Sequence, residues 1–137
     1  MLLDLHVAII WATLAVVAFA DEQGFMWILG KKRVLNERLL EWLHALTGLG
    51  LAGLITTGGL MLLNGYAFLL SDPVFIVKMV AVAALILNGF FISYVNKVAT
   101  HTAWADLSSR QRLPLLISGA VSVCGWSVAL ICGLLLP

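Results

Sequence analysis

Polar residues divide the chain into four long apolar stretches, at about 2–20, 37–63, 73–96 and 113–136. The second is the clearest, because from Ala45 to Ser71 it contains no Asp, Glu, Lys, Arg or His. A helix of about 20 apolar residues crosses the hydrocarbon core of a bilayer. The pattern therefore predicts an all-α fold, an integral membrane four-helix bundle that forms one domain.

Residues typical of helix N-termini stand before three of these stretches. Asn36 precedes the second stretch, and Asp72 followed by Pro73 precedes the third. Asn and Asp accept hydrogen bonds from free backbone N–H groups at a helix start, and Pro is favoured at the first helical position. Ser108 and Gln111 have the spacing of a capping box before the fourth stretch.

The first connection, residues 21–36, contains an apolar patch from Gly24 to Gly30. We expect this patch to lie along the membrane surface, with Trp27 among the lipid headgroups. In this interpretation Asp21 closes the first span and lies outside the bilayer core. The chain would then have no Asp or Glu in the middle of a span, where proton-coupled carriers usually have one.

Composition supports the membrane assignment. The chain is 62% hydrophobic and 11% charged, whereas soluble domains average about 45–50% and about 25%. The net charge of +1 gives no sign of a nucleic-acid partner, so we expect the lipid bilayer to be the partner. Because four short helices enclose little volume alone, we also expect a homo-oligomer. Cys124 and Cys132 lie about 12 Å apart along one helix, which is too far for a disulfide.

Basic residues predict the orientation in the membrane. All but Lys78 of the eight Lys and Arg residues fall in or beside the first and third connections: Lys31, Lys32, Arg33, Arg38, Lys97, Arg110 and Arg112. Short loops rich in Lys and Arg remain in the cytoplasm. We therefore expect a bacterial inner-membrane protein with connections one and three in the cytoplasm and both termini outside.

Small residues indicate where the helices approach one another. Helices in lipid associate through close packing, which small side chains allow. Stripes of such residues occur in the second and fourth stretches: Gly48, Ala52 and Thr56, and Gly125, Ala129 and Cys132 or Gly133. We expect these two helices to be in close contact. Trp11, Asn88 and Trp126 fall near mid-depth and predict a polar layer there.

The start of the second stretch carries the main candidate for chemistry. His44 lies about one turn inside it, with Gly48 one turn further on the same face and Arg38 toward the headgroups. The segment from Arg38 to His44, followed by Thr57-Gly58, resembles the helix opening of four-helix membrane cytochrome b subunits. That resemblance implies a b-type haem between helices for electron transfer, with His44 as an axial ligand.

The resemblance leaves the second haem ligand open. Histidines from two helices hold the haem in that family, but His6 is predicted at the opposite face and His101 beyond the end of the third span. Either His101 folds back, or a methionine such as Met26 or a second subunit supplies the bond. The alternative is that His44 is a partly buried histidine bonded to Glu41 or to a carbonyl.

A second resemblance concerns the third stretch. Lys78-Met79 through Asn88-Gly89 is similar to the copper-resistance D type of membrane domain. His6, Met61 and Met79 all fall toward the outer face, and imidazole and thioether groups suit Cu(I). These residues are a candidate metal site, although methionine is also a common filler of cores.

Three functions remain open from the sequence. One is a haem-binding redox protein; another is a small-molecule or metal-ion carrier or channel that works as an oligomer; a third is an accessory membrane subunit without chemistry. The chain has no Ser/His/Asp set within reach, no phosphate-binding glycine loop and no zinc spacing. Hydrolytic and acyl-transfer catalysis therefore have no support.

Overall fold

The computed structural model describes residues 1–136, which form four long helices and no strand. Their bounds are α1, Leu2–Ile28; α2, Glu37–Met61; α3, Pro73–His101; and α4, Ser109–Leu135. Each is long and apolar enough to cross a membrane. The prediction of an all-α, four-helix fold is therefore confirmed.

The predicted helix starts are also confirmed. The side chain of Asn36 accepts a hydrogen bond from the Leu39 N–H at 3.0 Å. Asp72 accepts one from the Val74 N–H at 2.7 Å. Before α4, Ser108 and Gln111 form a reciprocal capping box. Each cap satisfies an N–H group that has no partner inside its own helix.

The first helix is longer than the sequence suggested. It continues through Asp21 and includes most of the apolar patch that we expected on the membrane surface. Nothing from Asp21 to Ile28 breaks a helix, and the chain turns only at Gly30, whose φ of +72° suits glycine. The surface-segment prediction is therefore wrong, and Trp27 is a buried residue of α1.

Two short irregular turns connect α2 to α3. A π turn covers Leu62–Tyr66 and contains Gly65 at a φ of +111°, and a 3₁₀ turn covers Ala67–Ser71. This segment lies at the same end of the bundle as Met1 and the last residues of α4, and we name that end the terminal end. The other two connections, 29–36 and 102–108, lie at the opposite end with most of the Lys and Arg residues, which we name the basic end.

The four helices form two packed pairs, α1 with α2 and α3 with α4. Within the first pair, a Cβ atom on Gly50 would collide with the Thr13 side chain; within the second, one on Gly125 would lie 2.8 Å from a methyl carbon of Leu85. The expected contact between the second and fourth helices is therefore wrong. The α2 glycine that faces a neighbour closely is Gly50, whereas Gly48 has open space around it.

An apolar cluster closes the bundle at the basic end. Trp27 packs edge-on against Trp104 with ring centroids 5.2 Å apart, and its Nε1–H donates to the Thr102 carbonyl at 3.0 Å. We name this cluster the basic-end floor; its buried members are Trp27, Leu35, Leu40, Leu43, Ala99, Leu107 and Leu115. A second cluster, which we name the central cluster, fills the middle of the bundle around Val17, Leu54, Leu85 and Trp126.

The mid-depth polar layer is present only in part. Asn88 of α3 donates to the Ser118 carbonyl at 3.1 Å and accepts from the Ser118 hydroxyl at 2.8 Å. Trp126 is 5% exposed, in the central cluster. Trp11 is 57% exposed and faces away from the bundle, so its place in that layer was predicted wrongly.

Candidate functional site

A cavity of about 530 Å³ lies between the two helix pairs, from the central cluster to the basic-end floor. We name it the seam cavity. Its wall is mainly apolar and contains one glycine from each helix: Gly24, Gly48, Gly89 and Gly119. Around each of these glycines a Cβ atom would have nothing within 4 Å. The glycines therefore face open space, and small side chains on all four helices keep the cavity wide.

Tryptophan side chains form part of the cavity wall. Trp27, Trp104 and Trp126 line it, whereas Trp11 and Trp42 lie outside it and are 57% and 64% exposed. Part of the rim is also exposed, including Phe25 of α1 and Val123 of α4. The cavity is thus closed by aromatic rings toward the basic end and open at its side between helices.

Asp21 is the one carboxylate that lines the seam cavity. It lies on α1 about 10 Å from the basic end of that helix, half-buried and close to the Ser122 hydroxyl of α4. The sequence reasoning missed it because Asp21 was placed in a connection. The signal was present, since Val17, Asp21, Gly24 and Ile28 recur at the spacing of one helix face.

His44 lies between the seam cavity and a smaller groove of about 170 Å³. The groove is formed by polar residues of α2 and α3 at the basic end: Glu37, Glu41, Ser93, Asn96, Lys97 and Thr100. The imidazole is partly exposed and borders both spaces. Among the described residues, His44 is therefore the histidine that a molecule in the seam cavity would contact.

The other residues proposed to bind a cofactor are divided between two locations. Gly48 lines the seam cavity with His44, but Arg38 and His101 do not. His101 is exposed at the end of α3, where its Nδ1 lies 2.9 Å from the Lys97 carbonyl and 2.9 Å from the Thr100 hydroxyl. The ring is thus held to its own helix at the basic end.

His6 has a defined partner near the terminal end. Its Nδ1 lies 2.7 Å from the Thr57 hydroxyl of α2, and that hydroxyl donates to the Gly53 carbonyl at 2.8 Å. In the tautomer that satisfies both hydrogen bonds, Nδ1 carries the hydrogen and donates to Thr57. The Nε2 atom of a neutral His6 then keeps its lone pair.

The other two candidate metal residues are methionines, Met61 at the end of α2 and Met79 near the start of α3. His6 is bonded to Thr57, Met79 is 41% exposed on α3, and Met61 is partly exposed at the end of α2. Within residues 1–136, no three His, Cys, Asp or Glu side chains are close enough to hold a metal ion. A copper site that includes the methionines stays a prediction.

Comparison with known proteins adds no assignment: no family model, curated protein or solved structure matches the chain. The function must therefore be argued from the seam cavity and the residues that line it.

Proposed function

We propose that the protein is an integral membrane carrier for small, largely apolar molecules, which bind in the seam cavity. The observation that carries the proposal is the cavity, with its volume of about 530 Å³ and one unfilled glycine from each helix. Protein interiors normally pack without such spaces. Ligand sites, by contrast, are mostly apolar clefts of about 300–1,000 Å³ with a few polar groups.

The position of the cavity favours a carrier over a fixed binding protein. It lies where the α1–α2 pair meets the α3–α4 pair, and the contacts within each pair are the extensive ones. Two packed bodies with a smaller contact between them can shift relative to each other, as in the domain motions that open and close binding sites. A homo-oligomer, expected from the small size of the bundle, remains a prediction.

The distribution of charge supports a sidedness for this carrier. The basic end would face the cytoplasm of a bacterium under the positive-inside rule, with both termini outside the inner membrane. The basic-end floor would then separate the seam cavity from the cytoplasm. The exposed rim residues, Phe25 and Val123, would admit ligand from the hydrocarbon core.

The tryptophans provide a direct binding assay. A reporter with Trp11→Phe and Trp42→Phe keeps only the three tryptophans that line the cavity. The reporter is placed in lipid nanodiscs and titrated with 1-bromonaphthalene, a neutral apolar quencher. We expect saturable quenching. Gly119→Leu in the same background should abolish the saturable part, because its side chain enters the open space of the cavity.

Gly59→Leu is the matched control for this assay. Gly59 also has nothing within 4 Å of a Cβ atom, but it lies away from the cavity. It should leave the quenching curve unchanged. Quenching that rises linearly with the quencher, or that Gly119→Leu does not alter, would mean that the quencher only dissolves in lipid and that the cavity binds nothing.

A b-type haem is the second candidate, and it is favoured because the His44 imidazole lies beside open space. The rings of His6 and His101 are hydrogen-bonded to neighbours, whereas the His44 ring borders two open spaces. The cavity residues fit a haem with one axial histidine and not the two-histidine arrangement. No Lys or Arg of the described chain lines the cavity to pair with haem propionates, and Asp21 brings a negative charge there.

Haem would supply electron-transfer chemistry when bound, and His44 would be the residue that holds it. The glycines would leave room for the flat ring. Gly48 would do so on the same helix as the ligand, one turn from His44. The visible spectrum of the purified protein separates this candidate from the carrier.

A further inference from the structure

We infer that the seam cavity selects organic cations, molecules with an apolar body and one positively charged group, and that Asp21 is the counterion. The inference rests on the proposed carrier function and specifies its substrate class. It begins from the one carboxylate that lines an otherwise mainly apolar cavity.

The protein provides no ion-pair partner for Asp21 among residues 1–136. The one ion pair among residues 1–136 joins the N-terminal amine to Asp4 at 2.9 Å, and it lies on the surface. No Lys or Arg of the described chain lines the seam cavity. A charge held away from water is costly unless it is paired. A ligand that brings a positive charge to Asp21 removes that cost, which a neutral or anionic ligand of the same shape does not.

The rest of the wall determines which cations fit. Metal ions such as Ca²⁺ need six to eight oxygen ligands, and no metal-holding cluster of His, Cys, Asp or Glu is present in residues 1–136. The cavity instead offers one carboxylate, the Ser122 hydroxyl and the rings of Trp27 and Trp126, whereas the Trp104 ring already has the Arg112 guanidinium 5.3 Å from its centroid. Aromatic faces attract cations that carry little bound water, so the wall suits an organic cation.

The position of Asp21 fits a ligand that comes from the membrane. It lies about two turns inside α1 from the basic end, beyond the basic-end floor. The exposed rim residues Phe25 and Val123 are on the two helices that bring Asp21 and Ser122 together. An amphiphilic cation dissolved among the lipid tails could pass this rim with its charge toward Asp21.

A pair of probes with one shape and opposite charge tests the inference. Tetraphenylphosphonium and tetraphenylborate both carry four phenyl rings around a central atom. In the Trp11→Phe, Trp42→Phe reporter, each is used to displace 1-bromonaphthalene and restore tryptophan fluorescence. With the partition of each ion into empty nanodiscs measured and corrected for, we expect the phosphonium to displace the quencher at a lipid-phase concentration at least about tenfold lower than the borate, a preference of about 1.4 kcal/mol.

Substitution of Asp21 should remove this preference. In Asp21→Asn, displacement of the quencher should require a phosphonium concentration at least about tenfold higher than in the reporter. Saturable quenching by 1-bromonaphthalene should remain, which shows that the cavity is intact. Glu22→Gln is the matched control, since Glu22 is the adjacent acidic residue, exposed and outside the cavity. It should behave like the reporter.

Failure of the inference differs from failure of the carrier proposal. If both ions displace the quencher equally, or if Asp21→Asn binds the phosphonium as tightly as Glu22→Gln, the cavity does not select cations and the inference is overturned. If 1-bromonaphthalene does not quench saturably at all, both the carrier proposal and the inference fail. The comparison of the two ions in the unsubstituted reporter decides the matter even if Asp21→Asn does not fold.

Discussion

The His6 ring of α1 and the Thr57 hydroxyl of α2 are joined by a hydrogen bond of 2.7 Å. Thr57 is buried, and its own proton is donated to the Gly53 carbonyl. The bond therefore fixes the register of α1 against α2 near the terminal end. It is the polar link between these two helices, as Asn88 with Ser118 is between α3 and α4.

We predict that Thr57→Val lowers the free energy of unfolding by about 1 kcal/mol, the usual net value of one internal hydrogen bond. Valine keeps the shape of threonine and removes only the hydroxyl. Thr56→Val is the control: Thr56 is exposed and its hydroxyl bonds only to the Ala52 carbonyl of its own helix. Denaturant unfolding in detergent measures both. Equal stability of the two variants would show that the link to His6 contributes nothing.

Close packing of α1 on α2 makes a second prediction. Gly50→Ala should destabilise the protein by about 1–3 kcal/mol, because the new methyl group would collide with the Thr13 side chain. Gly48→Ala, half a turn away, meets open space. It should be neutral or raise stability by up to about 1 kcal/mol, since alanine favours the helix over glycine. A larger loss for Gly48→Ala than for Gly50→Ala would contradict the observed pairing of the helices.

The haem candidate predicts a coloured protein whose Soret band changes on reduction. His44→Ala should lose most of that absorbance, because the described cavity offers no other imidazole. His101→Ala should keep it, since His101 is exposed and bonded to its own helix. The visible spectra of the three purified proteins, expressed with added haem precursor, are the measurement. A colourless wild type rejects haem and leaves the carrier proposal in place.

The positive-inside argument predicts the sidedness. A reporter enzyme that works only outside the cytoplasm should be active when it is fused at the C-terminus. The same reporter should be inactive when it is inserted in the loop after Gly30. The reason is that seven of the eight Lys and Arg residues belong to the basic end. The opposite pattern of activity would place the basic end outside and reverse the proposed direction of the cavity.

The sequence was sufficient for the fold because long apolar runs and capping residues are local signals. Asn36, Asp72 and Ser108 each act within one helical turn, and each was identified correctly. The extent of α1 was not, because polar residues after Ala20 were interpreted as the end of a span. Helical backbone geometry tolerates them, and the chain turned only where Gly30 allowed a positive φ.

The site was harder to predict because it depends on which helices are neighbours. Small residues mark both tight contacts and open space, as Gly50 and Gly48 show on one helix. The stripe of Gly48, Ala52 and Thr56 was interpreted as a contact, whereas Gly48 lines the cavity and Ala52 and Thr56 are exposed outside it. His44 and Gly48 share that wall as expected, but Asp21 joins them only through the packing of α1 and α4, which no local pattern specifies.

The central claim is that the seam cavity holds a small molecule. Native mass spectrometry of the protein released directly from its membrane is the most direct test of this claim. We predict a discrete bound mass on the wild type and on Gly59→Leu, and its loss from Gly119→Leu, whose side chain occupies the cavity. If the bound mass remains on Gly119→Leu, or if none of the three proteins carries one, the claim is contradicted.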